Sequence, residues 1–505
     1  MTHLSLVDLS IIVGYNVAIL ALGCGLFFRA GSSERFMAAG RSLPGWAVGL
    51  SVFGSYISSI SFLANPGKAY ADNWNAAVFA LAMPLAAWIA VRYFVPFFRR
   101  SDELSAYQHL EHRFGPWART YAVVCFLLVQ VARLGTILYL LALALDPLVG
   151  WDVRWIIVAV GVLVTVYPML GGTEAWIWAG VMQAVLLLVG TGVCVVAILW
   201  GMPEGPGQIL RIANAEHKFS LGSFGASLAD STFWVVLAYG FVTHVQNFGI
   251  DQSYVQRYLV AGSDRAAARS VWIGTLMFMP VSFVFFFIGT ALFAFYQVQP
   301  ELLPSTLGEA VKPDAVFPHF IGSQLPVGLT GLVIAAICAA AMDSNLNCCA
   351  TLVLCDVYRR YLRPAATERE SVWVLRLSTL VLGAIGTAAA LAMIHVRTAL
   401  DVWWQLAGIF SGGMLGLFLV GLVSRRADSR AGFLGVASGI AVILWMTFST
   451  KWTGALESLR SPFHNLLTLV IGTGTILIVG LLAANFLCGR DMATPQPKTA
   501  VQSEK

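Results

Sequence analysis

The sequence predicts an all-α polytopic membrane protein, and three observations carry the prediction. The first is composition: 58% of the 505 residues are hydrophobic and 11% are charged, with a mean hydropathy of +0.77. A soluble domain is about 45–50% apolar and about 25% charged. The second is patterning. The apolar residues fall in blocks of about 18 or more with few charges, the length needed to cross a bilayer. The third is charge asymmetry. With spans alternating across the membrane, 20 of the 31 basic residues fall in loops on one side and 7 on the other. The richer side is then cytoplasmic, which puts the N-terminus outside and the C-terminus inside, as an odd number of spans requires. These observations exclude a soluble enzyme and a disordered or fibrous chain. The net charge of +5 is no nucleic-acid footprint, because the basic residues do not gather in one motif.

Thirteen spans are predicted, in chain order. The first, 6–28, lacks a basic leader and is too long for a cleaved signal peptide, so it is a retained helix. Spans 44–70 and 74–98 follow, then 118–146, which carries Arg133, and then 154–171 and 174–200, divided at a Gly171–Gly172 turn. The second half holds 231–250, 270–295, 324–356, 371–394, 400–423, 431–449 and 464–488. Residues 1–488 thus form a single transmembrane domain, and 489–505 a polar cytoplasmic tail expected to be disordered. The eight cysteines lie in or beside apolar segments without metal-ligand spacing and read as small buried hydrophobes. No HExxH, GxSxG or paired-histidine motif lies in the spans, so nothing points to an enzyme, an organic cofactor or an obligatory protein partner.

Two spans are poor continuous helices. Residues 45–70 carry Gly49, Gly54, Pro66 and Gly67 among five serines, with a break expected near Gly54–Ile57. Residues 231–259 dissolve into Gly240, Thr243, His244, Gln246, Asn247 and Gly249. Irregular backbone at membrane depth lines a cavity or is buried in protein. Unwound helices in corresponding positions of two halves point to a transporter's binding site. Leaving out the first span makes each the opening helix of a five-helix unit. The alternative is that the small residues serve close helix packing.

The stretches GRSLPGWAVGLSVFGSYISS (40–59), VYPMLGGTEAWIWAGVMQ (166–183), FGIDQSYVQRYL (248–259), AAAMDSNLNCCATLVLCDVYRR (339–360) and SGGMLGLFLVGLVSRR (411–426) resemble the sodium/solute symporter family in order and spacing. SSISFLANPGKAYADNW (58–74) most resembles its sialic-acid branch. The resemblance implies a five-plus-five inverted-repeat transporter fold with two broken helices and alternating access to a midplane site. It implies a cation/solute symporter importing a small organic solute, a carboxylate such as a sialic or sugar acid, through the plasma membrane. A proton-coupled or uncoupled carrier and a non-transporting solute receptor are the alternatives on the same scaffold.

Arg133 lies well inside its span, where a lone charge is expensive, so it should face a cavity or a partner. Guanidinium binds carboxylates bidentately, and the resemblance gives Arg133 the solute carboxylate; a structural ion pair with Asp343 is the alternative. Ser58 and Ser61 follow the first break. His244, Asn247 and Phe248 are expected to line the second, and Gln405 matches a solute-contacting glutamine of the sugar branch. Asp251, Gln252, Gln256 and Arg257 are expected to form the inner end of the second broken helix.

For a coupling cation, the resemblance assigns one sodium site to backbone carbonyls at Gly54 and Ile57 and to two hydroxyl side chains that fall at Ala340 and Ala341. A second sodium site uses an acid in a Trp-Thr-Asp motif, here Trp178, Ala179 and Gly180. Alanine and glycine offer no side-chain oxygen to a hard cation. Asp343 instead introduces a new acid, on a helical face with Ala340 and Asn347 and next to Ser344. It can rebuild a sodium site, carry a proton as membrane acids do, or pair permanently with Arg133.

Overall fold

The computed structural model describes residues 5–27, 32–58, 60–101, 105–149, 151–303, 313–342, 345–395 and 399–486. Its helices, in order, are α1 (Leu6–Leu26), α2 (Ser33–Ala38), α3 (Gly45–Tyr56), α4 (Asn65–Ala71), the short turns α5 (Val78–Leu81), α6 (Met83–Ile89) and α7 (Val95–Ser101), and α8 (Gln108–Phe114). Then come α9 (Pro116–Val149), α10 (Val153–Trp200), α11 (Gly207–Ala215), α12 (Phe233–Ile250), α13 (Gln252–Leu259), α14 (Asp264–Val298) and α15 (Pro313–Gln324). The chain closes with α16 (Leu329–Met342), α17 (Leu346–Leu352), α18 (Glu368–Ala392), α19 (Ala399–Val423), α20 (Ser429–Phe448) and α21 (Leu467–Phe486).

Among the described residues, nine helices are long and apolar enough to cross a bilayer, or ten with the bent α3–α4 pair. The thirteen predicted spans are recovered once the 48-residue α10 is taken as two and the more polar α12 and short α16 are added. Within α10 the chain turns at Gly172, whose φ of 63° and ψ of −155° are glycine territory. A Cβ there would lie 2.9 Å from the Phe36 carbonyl, so the same glycine lets α2 dock against the kink.

The first broken span is where the sequence places it. Helix α3 stops at Tyr56, and the chain resumes through a π-helical turn at Ile60–Ala64 into α4, bent by 56°. The second differs from expectation. Helix α12 runs unbroken through the polar stretch, and the interruption falls at Asp251, whose backbone is extended before α13 begins. The reason is tertiary. The His244 ring lies 3.1 Å from the Phe79 carbonyl, and Gly240 brings α12 close to Phe79, where a Cβ would meet that carbonyl at 2.7 Å. These polar and small residues serve packing, so the backbone has no need to unwind. The predicted span 324–356 is recorded as α16 and α17 on either side of residues 343 and 344, followed by a π-helical stretch at Val353–Leu362.

Helix α1 is peripheral and mostly lipid-facing. Besides the buried Ile19 and Gly23 it is held by Asp8, whose carboxylate accepts from the backbone N–H groups of Gly328 (2.8 Å) and Gly331 (2.7 Å) at the start of α16. A carboxylate is favoured at a helix N-terminus.

The end of the molecule rich in basic loops is closed by buried polar contacts. Arg119 bonds Asp356 (Nε, 2.7 Å) and Glu111 (2.7 Å), and Ser105 donates to Asp356 (2.7 Å). The Gln256 amide reaches the Met37 carbonyl (2.6 Å), Thr173 Oγ1 (3.1 Å) and Thr351 Oγ1 (3.2 Å), tying α13 to α2, α10 and α17. Leu43 pairs with Ala261 in a two-residue bridge beside them.

Candidate solute and cation sites

A cavity of about 170 Å³ opens at the two interruptions. Ser55, Tyr56, Ser58 and Ser61 line it from the first broken helix, Gln130 and Arg133 from α9, and Thr243, Gln246 and Asn247 from α12. Asp251 and Tyr254 line it from the second interruption, and Trp403, Ala407, Gly408 and Ser411 from α19. It shares Lys68, Ala76, Phe79, Tyr239 and Gly408 with a wider cavity of about 360 Å³ toward the end poor in basic loops. These volumes suit a small organic solute and exclude a peptide or macromolecule.

The hydroxyls sit here because of the break. A helix that ends leaves carbonyls without helical partners, and local groups take them up. Ser61 Oγ donates to the Tyr56 carbonyl (3.0 Å), and the Gln183 amide of α10 donates to the carbonyls of both Gly54 (3.0 Å) and Ile57 (3.1 Å). Arg133 is half-buried on the wall and donates from Nη2 to the Ser55 carbonyl (2.7 Å). Arg257 grips the same residue from behind, with its guanidinium 2.5 Å from Ser55 Oγ, 3.1 Å from Ser51 Oγ and 3.7 Å above the Trp176 ring. Asp251 is buried at the floor, where its carboxylate accepts from the Ser253 N–H (2.8 Å) and faces the charges of Arg133 and Arg257.

The structure brings Ser58, Ser61, Arg133 and Asn247 to one cavity. His244 and Phe248 lie behind it, fully buried, packed at a tilt against the lining residue Tyr56 with ring centroids 5.6 and 5.7 Å away. Of Gln405 only the backbone, in α19, is described, while its neighbours Trp403, Ala407 and Gly408 line the cavity. Sequence reasoning missed Tyr56, Gln130, Tyr254, Phe278 and Trp403 as lining residues. Gln130 carried a signal, since it lies three residues before Arg133 on the same helical face. The aromatic residues carried none that separates a site from a core.

Of the residues considered for a cation, Gly54 and Ile57 present carbonyls that already accept from Gln183. Ala340 is fully buried, and of Ala341 only the helical backbone is described. Asp343 and Ser344 lie outside the described residues. Asn347 donates to Thr173 Oγ1 (2.6 Å) and Asn345 to Gln130 Oε1 (2.8 Å). The amide oxygens of both asparagines are buried acceptors without a hydrogen-bond partner among the described residues. At Gly180, a Cβ would lie 2.6 Å from Ser51 Oγ.

A helical membrane domain with broken helices around a polar cavity, closed at one end and continuous with a vestibule at the other, defines a solute carrier. The chain belongs to the sodium:solute symporter family, whose family model matches residues 36–439. It is 34% identical over 480 residues to the sodium/sialic acid symporter NanT of Aliivibrio fischeri, covering 93% of this chain and 91% of that one. It is 31% identical over 487 residues to the sodium/sialic acid symporter SiaT of Proteus mirabilis, covering 95% of each. Among solved structures it is similar to a Na+-coupled sialic acid symporter in a substrate-bound, outward-open state. That match has 29% identity and a TM-score of 0.87, and covers 95% of this chain and 98% of the other. The fold is accordingly the five-plus-five inverted repeat, and the protein is a multi-pass membrane transporter rather than an enzyme.

Proposed function

We propose that this protein imports a small acidic solute of the sialic-acid class across the plasma membrane, driven by sodium, with its basic loops and C-terminus in the cytoplasm. The observation that carries the reading is Arg133, a half-buried guanidinium on the wall of a cavity lined mainly by hydroxyl, amide and aromatic groups, with Asp251 at its floor and Lys68 where the wider cavity joins it. A planar cation there selects a carboxylate, while Ser58, Ser61 and Asn247 offer hydrogen bonds to the hydroxyl and amide groups of a sugar acid. The names of NanT and SiaT support the same solute and the same ion.

Coupling requires the cation and the solute to share a preference for one access state. The family implies sodium. A proton-driven carrier is the second reading, favoured by two observations: the Gly54 and Ile57 carbonyls are occupied by Gln183, and Ala340 brings no oxygen. In both readings Asp343 is the acid that serves the coupling ion, close in the chain to Asn345 and Asn347, whose amide oxygens have no hydrogen-bond partner among the described residues.

The test is uptake of radiolabelled sialic acid into proteoliposomes under an imposed inward sodium gradient or an imposed proton gradient, for wild type and Asp343→Asn. Sodium-driven uptake lost in Asp343→Asn supports the sodium reading. Uptake driven by the proton gradient alone moves the protein to proton symport. Absence of uptake under both gradients overturns the solute assignment.

A further inference from the structure

We propose that the wider cavity above the main site is a first binding subsite for the carboxylate of an anionic solute, with Lys68 as its cation, and that the solute passes from Lys68 to Arg133. The inference rests on the acidic-solute reading above. Lys68 stands on α4 and lines both cavities. The wider cavity also presents the neutral polar side chains of Asn75, Ser231 and Asn465, with His464 beside them. Among the described residues that line it, none is acidic. An entering anion therefore meets one cation, Lys68, whose counter-charge Asp72 is not among the lining residues of the cavity. The next cation inward is Arg133, on the wall of the adjoining cavity.

Lys68 is built to exchange partners. Its ammonium lies 2.7 Å from Asp72 Oδ2 one turn further on, with the two side chains 43% and 54% exposed. Water competes for both members of such a pair, so it contributes little net stability, and a solute carboxylate can replace Asp72 at small cost. Asp72 is not left without a cation when Lys68 departs. Lys218 donates to the carbonyls of Tyr70 (2.7 Å) and Asp72 (2.9 Å), and its charge acts on the Asp72 carboxylate. Lys218 is itself fixed, 3.9 Å above the Phe293 ring. One lysine therefore pins the end of α4 while the other, on its flexible stem, is free to follow the solute.

The test uses the full chain in proteoliposomes with sialic acid as the probe. Lys68→Gln is expected to raise KM about tenfold, the effect of one charge-assisted contact, with the maximal rate kept within about twofold. The difference shrinks at high ionic strength, and Lys68→Arg restores the wild-type KM. Asp72→Asn, which releases Lys68, lowers KM. Arg133→Ala retains weak saturable sialic-acid binding that the double variant Arg133→Ala/Lys68→Gln loses. An unchanged KM in Lys68→Gln or Asp72→Asn, with wild-type uptake intact, overturns the subsite alone. If wild type takes up neither sialic acid nor any other carboxylate, it is the acidic-solute reading that falls.

Discussion

Replacing Arg133 by glutamine removes the charge and the planar donor fork while keeping a shorter polar side chain. The effect on solute affinity can be worked from the site. Hydrogen bonds to charged groups contribute about 1.5–3 kcal/mol. Arg133 is half-buried in a cavity continuous with the vestibule, so water discounts that figure. The lower part of the range, about 1.5–2 kcal/mol, corresponds to about a 10- to 30-fold rise in KM. The structural penalty is the bond from Arg133 to the Ser55 carbonyl. Such a bond is worth about 1 kcal/mol, small beside the about 5–15 kcal/mol stability of a folded protein. Asp251 keeps the charge of Arg257 in any case. Arg133→Lys retains charge without the fork and should fall between the two. The assay is uptake of the acidic solute and of its neutral methyl ester as a competitor, with thermal unfolding in detergent as the folding control. Wild type should prefer the acid, and Arg133→Gln should lose that preference. An unchanged KM for the acid, or equal weakening of acid and ester in a folded variant, would falsify the carboxylate role.

Three further outcomes follow from the packing. Gln183→Ala removes both hydrogen bonds to the Gly54 and Ile57 carbonyls; at about 0.5–1.5 kcal/mol each, the thermal midpoint should drop by about 1–3 °C. Gly172→Ala forces a Cβ into a backbone conformation reserved for glycine and to within 2.9 Å of the Phe36 carbonyl. It should destabilise by at least about 1–3 kcal/mol, visible as lost monodispersity or a lowered midpoint. Arg119→Ala leaves Asp356 buried and without its guanidinium. That should cost about 3–5 kcal/mol, and the double variant Arg119→Ala/Asp356→Ala should recover folded yield relative to the single one.

Helix number and the α3–α4 break were readable because the bilayer imposes a length on every apolar run and because glycines and hydroxyls cluster where a helix ends. The same logic located the Gly171–Gly172 kink. It misplaced the second interruption, since the polar run from Gly240 to Gly249 has the composition of an unwound segment. What keeps that run helical is the contact of His244 and Gly240 with Phe79, a partner 165 residues away from His244 in the chain. The cavity was legible where residue chemistry is costly in a membrane, as at Arg133, and where it follows the break, as at Ser58 and Ser61. It was not legible at Tyr56, Tyr254 and Phe278, since an aromatic side chain reads alike in a core and in a wall. Asp251 was expected at the inner end of its helix. It caps α13 and at the same time forms the cavity floor, a double role set by the interruption itself.

The cation face has its own logic. Helices α3 and α10 touch through two glycines: a Cβ at Gly54 would lie 3.1 Å from the Gly180 carbonyl, and one at Gly180 2.6 Å from Ser51 Oγ. That hydroxyl already accepts from Arg257. An acid at position 180 would require α10 to withdraw from α3, and small residues are what allow such close approach between membrane helices. The loss of the acid and the tightness of this contact are therefore one feature. The Gly54 and Ile57 carbonyls each accept a hydrogen bond from Gln183, which a cation there would have to share or displace. On the proposed reading, a coupling cation would draw further oxygens from the segment between Ala340 and Asn347. There the amide oxygens of Asn345 and Asn347 are buried without partners among the described residues, an arrangement that is costly unless something supplies them with a positive charge or a proton. Asp343 lies between Ala340 and these asparagines in the chain. A sodium ion draws on several oxygens at once, whereas a proton carried by a carboxyl needs a single acceptor. Substituting Asn347 by leucine should accordingly weaken sodium activation of uptake several-fold if sodium is the coupling ion, because a hard cation needs several oxygens, and should leave proton-driven uptake intact if it is not.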